Sequence, residues 1–169
     1  ADIVTGVPES GLTAAVGYAK AAGIPFVPAF YKNSYVGRTF IKPSQAGRVS
    51  AVHLKLSVLS DVVRDKRVVL IDDSIVRGTT MANLIVMLRK AGAKEVHVRI
   101  SSPPFLHPCY YGTDVPDNSQ LIANEHSVED IRKTIGADSL GYMALEDLDE
   151  MVEGLPICKA CFNNAYPVL

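Results

Sequence analysis

The run Val68-Val69-Leu70-Ile71, four apolar residues ending in Asp72-Asp73, most constrains what this chain can fold into. A strand that is apolar on both sides must be covered on both faces, the situation of a central strand in a parallel sheet. The flanking sequence agrees, because short β-like runs alternate with helical stretches in the βαβ pattern. Ile3-Val4 leads into the turn Gly6-Val7-Pro8-Glu9-Ser10-Gly11. Leu12 to Ala22 follows as a helix with Leu12, Ala15, Val16 and Ala19 on one face, closed by Gly23. Ser10 either caps this helix or belongs to the turn just before the cap. Pro25-Phe26-Val27 reads as a second strand. Past the central strand, Ile75 to Gly78 is a loop, and Thr79 or Thr80 opens a helix with Met81, Leu84, Ile85 and Leu88 on one stripe, stopping at Gly92. Val96, Val98 and Ile100 alternate as in a strand. Ser127-Val-Glu-Asp130 resembles a capping box that starts a helix with Val128, Ile131 and Ile135 inward. Ser139 to Met143 reads as a last strand, and Leu145, Leu148, Met151 and Val152 as a final helical stripe, the methionines serving as core filler.

Residues 31 to 50 break this pattern. Lys32, Arg38, Lys42 and Arg48 are interleaved with Tyr31, Tyr35 and Phe40, and neither a period of 2 nor one of 3.6 runs through them. A loop of this length inside a compact domain is usually functional or disordered. Leu54 to Val58 alternates like a strand leaving it.

Several function classes are excluded by composition. The 169 residues suffice for one core and one domain. With 48% hydrophobic and 21% charged residues, the chain is not intrinsically disordered. A net charge of -1 argues against a general nucleic-acid binder. There is no apolar run long enough to span a membrane. Ala1 to Val4 reads as a strand rather than a signal peptide, and the missing initiator Met marks the chain as processed or as a fragment. Three cysteines are a poor basis for a secreted disulfide framework, so a cytoplasmic setting is expected. Taken alone, Cys109 reads as a buried apolar thiol. Cys158-Lys-Ala-Cys161, placed in a loop between Pro156 and Asn163, reads as half of a metal or cluster site.

The sharpest chemical signal is Asp72-Asp73-Ser74-Ile75-Val76-Arg77-Gly78-Thr79-Thr80. Open α/β sheets bind ligands at the C-terminal ends of their strands, where this sequence delivers two carboxylates. The backbone N–H groups of the following helix mouth favour a phosphate monoester, and the Ser74, Thr79 and Thr80 hydroxyls add donors. Carboxylates repel phosphate but suit sugar hydroxyls and a hydrated Mg²⁺ that bridges to other phosphates. With no GxxxxGK[ST] before the strand and no GxGxxG after one, nucleotide hydrolysis and dinucleotide binding are disfavoured. The loop reads as a ribose-phosphate cradle.

These residues resemble the phosphoribosyl pyrophosphate loop of the type I phosphoribosyltransferases. With Val7 to Gly11, Lys32 to Ile41 and Ser101-Ser-Pro-Pro104, the resemblance narrows to the glutamine phosphoribosylpyrophosphate amidotransferase (amidophosphoribosyltransferase) family and runs over almost the entire chain. It implies a type I phosphoribosyltransferase fold: a mainly parallel central sheet, helices on both faces and a flexible hood loop. It also implies roles by position. Glu9, Ser10 and Gly11 lie in the pyrophosphate loop, with the Ser10 hydroxyl near Mg²⁺. Asp72 and Asp73 serve the ribose hydroxyls and Mg²⁺. Ser74, Ile75, Val76, Arg77, Gly78, Thr79 and Thr80 form the 5′-phosphate cradle. Lys32, Tyr35 and Arg38 belong to the mobile loop that closes over substrate and join the two acids at the reacting centre. Cys109, Cys158 and Cys161 match three of the four thiolates of a [4Fe–4S] cluster, the fourth lying upstream of Ala1. The implied reaction, the first committed step of purine synthesis, replaces the diphosphate of phosphoribosyl pyrophosphate with ammonia drawn from glutamine.

Residues 1–169 are expected to form one transferase domain with a C-terminal CxxC segment at 155–169. An upstream glutaminase and the first transferase elements are expected to lie outside it, so this chain would use free ammonia. Purine nucleotides are the implied feedback inhibitors and a homo-oligomer, a tetramer in the family, the implied assembly. The alternatives are a nucleobase phosphoribosyltransferase, a non-catalytic sensor of nucleotides or of the sugar donor on the same fold, and an inactive piece of a larger protein.

Overall fold

The computed structural model describes residues 1–33, 56–113, 115 and 117–167. Its centre is a four-stranded, fully parallel sheet of β1 (Ile3–Gly6), β4 (Arg67–Asp72), β5 (Glu95–Ile100) and β6 (Ser139–Tyr142), in that spatial order. β2 (Phe30–Lys32) and β3 (Leu56–Val58) form a separate antiparallel pair. The helices are α1 (Leu12–Ala22), α2 (Ser60–Val63), α3 (Thr79–Lys90), α4 (Ile122–Glu125), α5 (Val128–Ile135), α6 (Asp147–Met151) and α7 (Ala160–Asn163).

β4 occupies the interior position that its apolar run demands, and Val68, Val69, Leu70 and Ile71 are all buried. The alternation of side chains divides them between two cores. Val68 and Leu70 pack with Leu84, Leu88, Val96, Val98, Ile131 and Ile135 beneath α3 and α5. Val69 and Ile71 face the opposite way and pack with Val4, Ala15 and Ala19 beneath α1. Helices thus cover both sides of the sheet, the type I phosphoribosyltransferase arrangement. Thr5, wholly buried, accepts a hydrogen bond from the Ala29 N–H at 3.1 Å and so ties β1 to the chain entering β2.

Several expectations needed local correction. Phe26 makes a single bridge to Val4, and the strand proper begins at Phe30, because Pro25 and Pro28 lack the N–H groups a continuous ladder uses. Val16 lies on the outer side of α1 and Val128 at the exposed first position of α5, whereas Ile131 and Ile135 do point inward. The stripe at Leu145 to Val152 finds no core to join: none of the residues of α6 is buried, and Met151 is well exposed. Met81 is core filler as expected and Met87 is buried as well, whereas Met151 does not fill a core. Ser127 does cap α5, accepting from the Asp130 N–H at 3.2 Å. α3 ends at Lys90, two residues before Gly92, whose φ of 101° turns the chain toward β5. Cys161 belongs to the one-turn helix α7 rather than to a loop. Of the stretch 31–50, Tyr31 and Lys32 lie in β2, while Tyr35, Arg38, Phe40, Lys42 and Arg48 fall outside the described residues, as do Leu54 and Lys55.

Candidate functional site

Because β1 and β4 pair in parallel, with Gly6 beside Ile71, the loops that follow them emerge side by side. The turn after β1 rests on the end of β4. The Val7 N–H donates to the Ile71 carbonyl at 2.9 Å, and the Gly11 N–H closes the turn onto the Val7 carbonyl at 2.9 Å. The approach is close enough to require glycine at both ends. A Cβ on Gly11 would stand 2.2 Å from the Ile71 carbonyl oxygen, and one on Gly6 would stand 2.6 Å from the Gly11 carbonyl oxygen. The Pro8–Glu9 peptide within the turn is cis. Gly11, not Ser10, is the N-cap of α1, which leaves the Ser10 hydroxyl to reach across to β4.

There it meets Asp72. Oδ1 of this buried carboxyl accepts from Ser10 Oγ at 2.9 Å and from the Asp73 N–H at 2.9 Å. Burial pushes its pKa up to about 6, against the opposing pull of the two donors and with a smaller upward push from the Asp73 charge. Asp73, one residue on, is exposed, and Ser74 Oγ donates to its carboxylate at 3.3 Å. The Asp72 carbonyl is held by the Ser101 N–H at 3.0 Å, so the first serine of the Ser-Ser-Pro-Pro stretch braces this strand end. Lys32, on β2, forms an ion pair with Glu9 at 3.2 Å. Beside that pair lies an open groove of about 440 Å³, lined by residues that include Pro8, Leu12, Val16, Phe26 and Phe30.

The loop after β4 runs to α3 through Gly78, whose φ of 78° suits the residue with no Cβ. As N-cap it has no side chain to satisfy the first N–H groups of α3, so they stay open to an external acceptor beside the exposed Thr79 and Thr80 hydroxyls. The Ile75 side chain is buried in the core, so only its backbone faces the loop side. Sequence reasoning missed Gln120, whose side-chain carbonyl accepts a hydrogen bond from Arg77. It sits 43 residues away at the end of a three-residue 3₁₀ turn, Asn118–Gln120, too short for any periodicity to mark it.

The structure thus brings together Glu9, Ser10, Gly11, Lys32, Asp72, Asp73 and Ser74, with the 75–80 loop adjoining; Tyr35 and Arg38 lie outside the described residues. Chemically, the arrangement offers two acids and a hydroxyl beside an anion-accepting helix mouth. No group of three or more His, Cys, Asp or Glu able to hold a metal ion occurs among the described residues. A magnesium ion that keeps its waters and arrives on substrate phosphates needs only one or two protein carboxylates, which Asp72 and Asp73 provide.

The cysteines form a second locus. Cys109, Cys158 and Cys161 line one cavity of about 300 Å³ with Tyr111, Gly112, Thr113, Ala160 and Tyr166. Backbone N–H groups of Tyr111, Thr113 and Gly112 pull the Cys109 pKa down to about 7. Burial, seconded by the Cys109 charge, pushes the Cys161 thiol up. Three thiols on one cavity, one of them poised as thiolate, suit a soft metal in donor type, although as they stand they are not gathered around a single ion.

A parallel sheet whose strand ends present acids beside an uncapped helix mouth defines an α/β domain of the kind that binds ligands at its strand ends. The phosphoribosyl transferase domain family matches residues 1–102, and the chain belongs to that family. More particularly, it is 54% identical to the amidophosphoribosyltransferase of Bacillus subtilis over 99% of this chain and 36% of that protein. It is 51% identical to that of Archaeoglobus fulgidus over 99% of this chain and 38% of the relative. The solved structure of glutamine phosphoribosylpyrophosphate amidotransferase from B. subtilis, complexed with ADP and GMP, superposes with a TM-score of 0.85 at 53% identity, covering 98% of this chain and 38% of that one. The chain therefore spans well under half the length of these relatives.

Proposed function

We propose that this chain is the phosphoribosyltransferase part of an amidophosphoribosyltransferase. In the complete protein, ammonia released from glutamine attacks C1 of phosphoribosyl pyrophosphate. The C1–O bond to diphosphate breaks and 5-phosphoribosylamine forms, the first committed step of purine synthesis. Residues 1–169 act as one transferase domain, with 155–169 as its CxxC segment. The observation that carries this reading is the junction of Ser10 with Asp72, which sets the Val7–Gly11 turn directly against the acid end of the central strand.

In this mechanism the uncapped mouth of α3, with Ser74, Thr79 and Thr80, holds the 5′-phosphate. Asp73 and the ionised Asp72 bind the ribose hydroxyls, and the Glu9–Gly11 backbone with Lys32 receives the diphosphate. Ser10, Asp72 and Asp73 are the residues that would hold magnesium, which when bound neutralises charge on the leaving group. Tyr35 and Arg38 complete the closing loop and exclude water around the developing charge. The positive charge that develops at C1 needs no general base, so most of the rate comes from orientation and charge placement. Cys109, Cys158 and Cys161 would supply three of the four thiolates of a [4Fe–4S] cluster. Purine nucleotides act as feedback inhibitors, a reading supported by the ADP and GMP in the B. subtilis structure. The protein works in the cytoplasm as a homo-oligomer; no helix among the described residues is long and apolar enough to cross a membrane.

Ammonia-dependent release of diphosphate from phosphoribosyl pyrophosphate by the complete protein tests the reading. Release is expected with ammonia as acceptor and is expected to need a higher phosphoribosyl pyrophosphate concentration in Asp73→Asn. Turnover with a nucleobase but not with ammonia would replace this proposal with the nucleobase alternative.

A further inference from the structure

Three consecutive residues of the loop between β4 and α3 rest on one stretch of chain, residues 117–122, which runs through a 3₁₀ turn (Asn118–Gln120) into the start of α4. The Val76 carbonyl accepts from the Ile122 N–H at 2.9 Å. Arg77 Nη2 donates to Gln120 Oε1. Gly78 passes so close that a Cβ there would lie 3.2 Å from Ile122 Cδ1 and 3.4 Å from Ile135 Cγ2. The supporting segment is itself braced. Gln120 Nε2 donates to Asp117 Oδ2 at 3.2 Å, and the Ser119 N–H donates to Asp117 Oδ1 at 2.9 Å. Asn124 Nδ2 donates to the Leu106 carbonyl at 3.1 Å, while the Leu106 and His107 N–H groups donate to the Cys161 carbonyl at 2.9 and 3.0 Å.

The Gln120 amide is used at both ends. Its oxygen takes the Arg77 cation and its nitrogen gives to the Asp117 anion, so it relays between two charges that do not touch. A primary amide does this; a carboxylate would face Asp117 with like charge, and a hydrocarbon would serve neither partner. A loop that must present backbone N–H groups to a phosphate binds more tightly when it is already held in shape.

We infer that Gln120 is a positioning residue for the sugar-phosphate end of the site, holding the 76–78 loop through Arg77 while Ile122 pins the same loop through its backbone. This rests on the reading of that loop as the 5′-phosphate cradle. It also separates the two ends of the ligand, because the turn that receives diphosphate, Val7–Gly11, hangs on β4 and shares none of these contacts.

The test measures ribose 5-phosphate and magnesium diphosphate binding separately by calorimetry on the complete protein, with urea midpoints to verify folding. Gln120→Met is expected to weaken ribose 5-phosphate about ten-fold, the scale of a lost hydrogen bond to a charged group. Diphosphate affinity is expected to change by less than about two-fold. Arg77→Met is expected to weaken ribose 5-phosphate as well, and adding Gln120→Met to it should cost nothing further, because the relay is already broken. Equal loss for both ligands, no loss for either, or a full second loss in the double variant overturns the inference while the cradle reading stands. If the wild-type protein binds diphosphate but no ribose 5-phosphate, the cradle reading falls and the inference falls with it.

Discussion

Ser10 Oγ donates to Asp72 Oδ1 at 2.9 Å, closing a contact between loops 62 residues apart in sequence. It is one of two hydrogen bonds that favour the ionised form of a buried acid. Ser10→Ala removes it without adding volume. The Asp72 carboxyl is then expected to titrate above its present value of about 6, and the protein at about pH 8 to lose on the order of 1–2 kcal/mol. Chemical denaturation at that pH reads the loss, and an unchanged midpoint refutes it.

The raised Asp72 carboxyl also predicts the sign of a pH dependence. The folded state holds this proton more tightly than the unfolded chain does, so the contribution is fully present below about pH 4 and is lost as pH rises through about 6. Asp72→Asn cannot ionise and should escape the loss. Relative to wild type, the variant is expected to gain stability between about pH 4 and about pH 8, on the order of 3 kcal/mol. Parallel denaturation series check this; a difference that stays constant with pH contradicts it.

The two glycines at Gly11 and Gly17 should respond oppositely to alanine. At Gly11 the new methyl would sit 2.2 Å from a backbone oxygen of the central strand, and the clash is expected to destabilise by about 3 kcal/mol or more. At Gly17, within α1 and with nothing inside 4 Å, alanine is expected to stabilise by roughly 0.5–1 kcal/mol. Thermal melts of the pair decide it.

Asp73 is exposed, and among the described residues its carboxylate accepts from its neighbour Ser74, so Asp73→Asn is expected to leave stability within about 0.5 kcal/mol of wild type. Under the proposed function it should raise the KM for phosphoribosyl pyrophosphate about ten-fold or more. Steady-state kinetics alongside a melt separates these effects; a stability loss with unchanged kinetics reverses the assignment.

Cys109 should be the faster-reacting thiol of the pair it makes with Cys161. Backbone donors lower its pKa to about 7, whereas burial raises that of Cys161. In metal-free protein at neutral pH, alkylation followed by peptide mapping is expected to label Cys109 before Cys161, and equal rates for the two contradict this. In the complete protein isolated without oxygen, visible iron–sulfur absorption is expected and should be lost in Cys161→Ser; colourless wild-type protein would remove the cluster from the proposal.

Much of the fold was legible because burial on both faces leaves a signature in one segment. Val68 to Ile71 reads as a central strand without reference to anything distant, as do the Met81-Leu84-Ile85-Leu88 stripe and the Ser127 cap. Expectations failed where local pattern met no partner. Val16 and the Leu145–Val152 stripe have the spacing of core residues, but Val16 and Met151 stay exposed and Leu145, Leu148 and Val152 are only half-buried. The acids and the helix mouth of the candidate site were legible too, being contiguous in sequence. Gln120 was not, because a three-residue turn carries no period and its value comes from where it lands.

The residues alone were enough for the central strand, for helices α1, α3 and α5, for the acid pair at a strand end and for the glycines of the turn, because strand burial and backbone clearance are local demands. The folded chain was needed to show that Ser10 serves Asp72 rather than capping α1, that Lys32 pairs with Glu9, and that Gln120 holds Arg77. Those pairings depend on parallel strand register and on the docking of distant loops, and each side chain takes the partner that packing brings within hydrogen-bond reach.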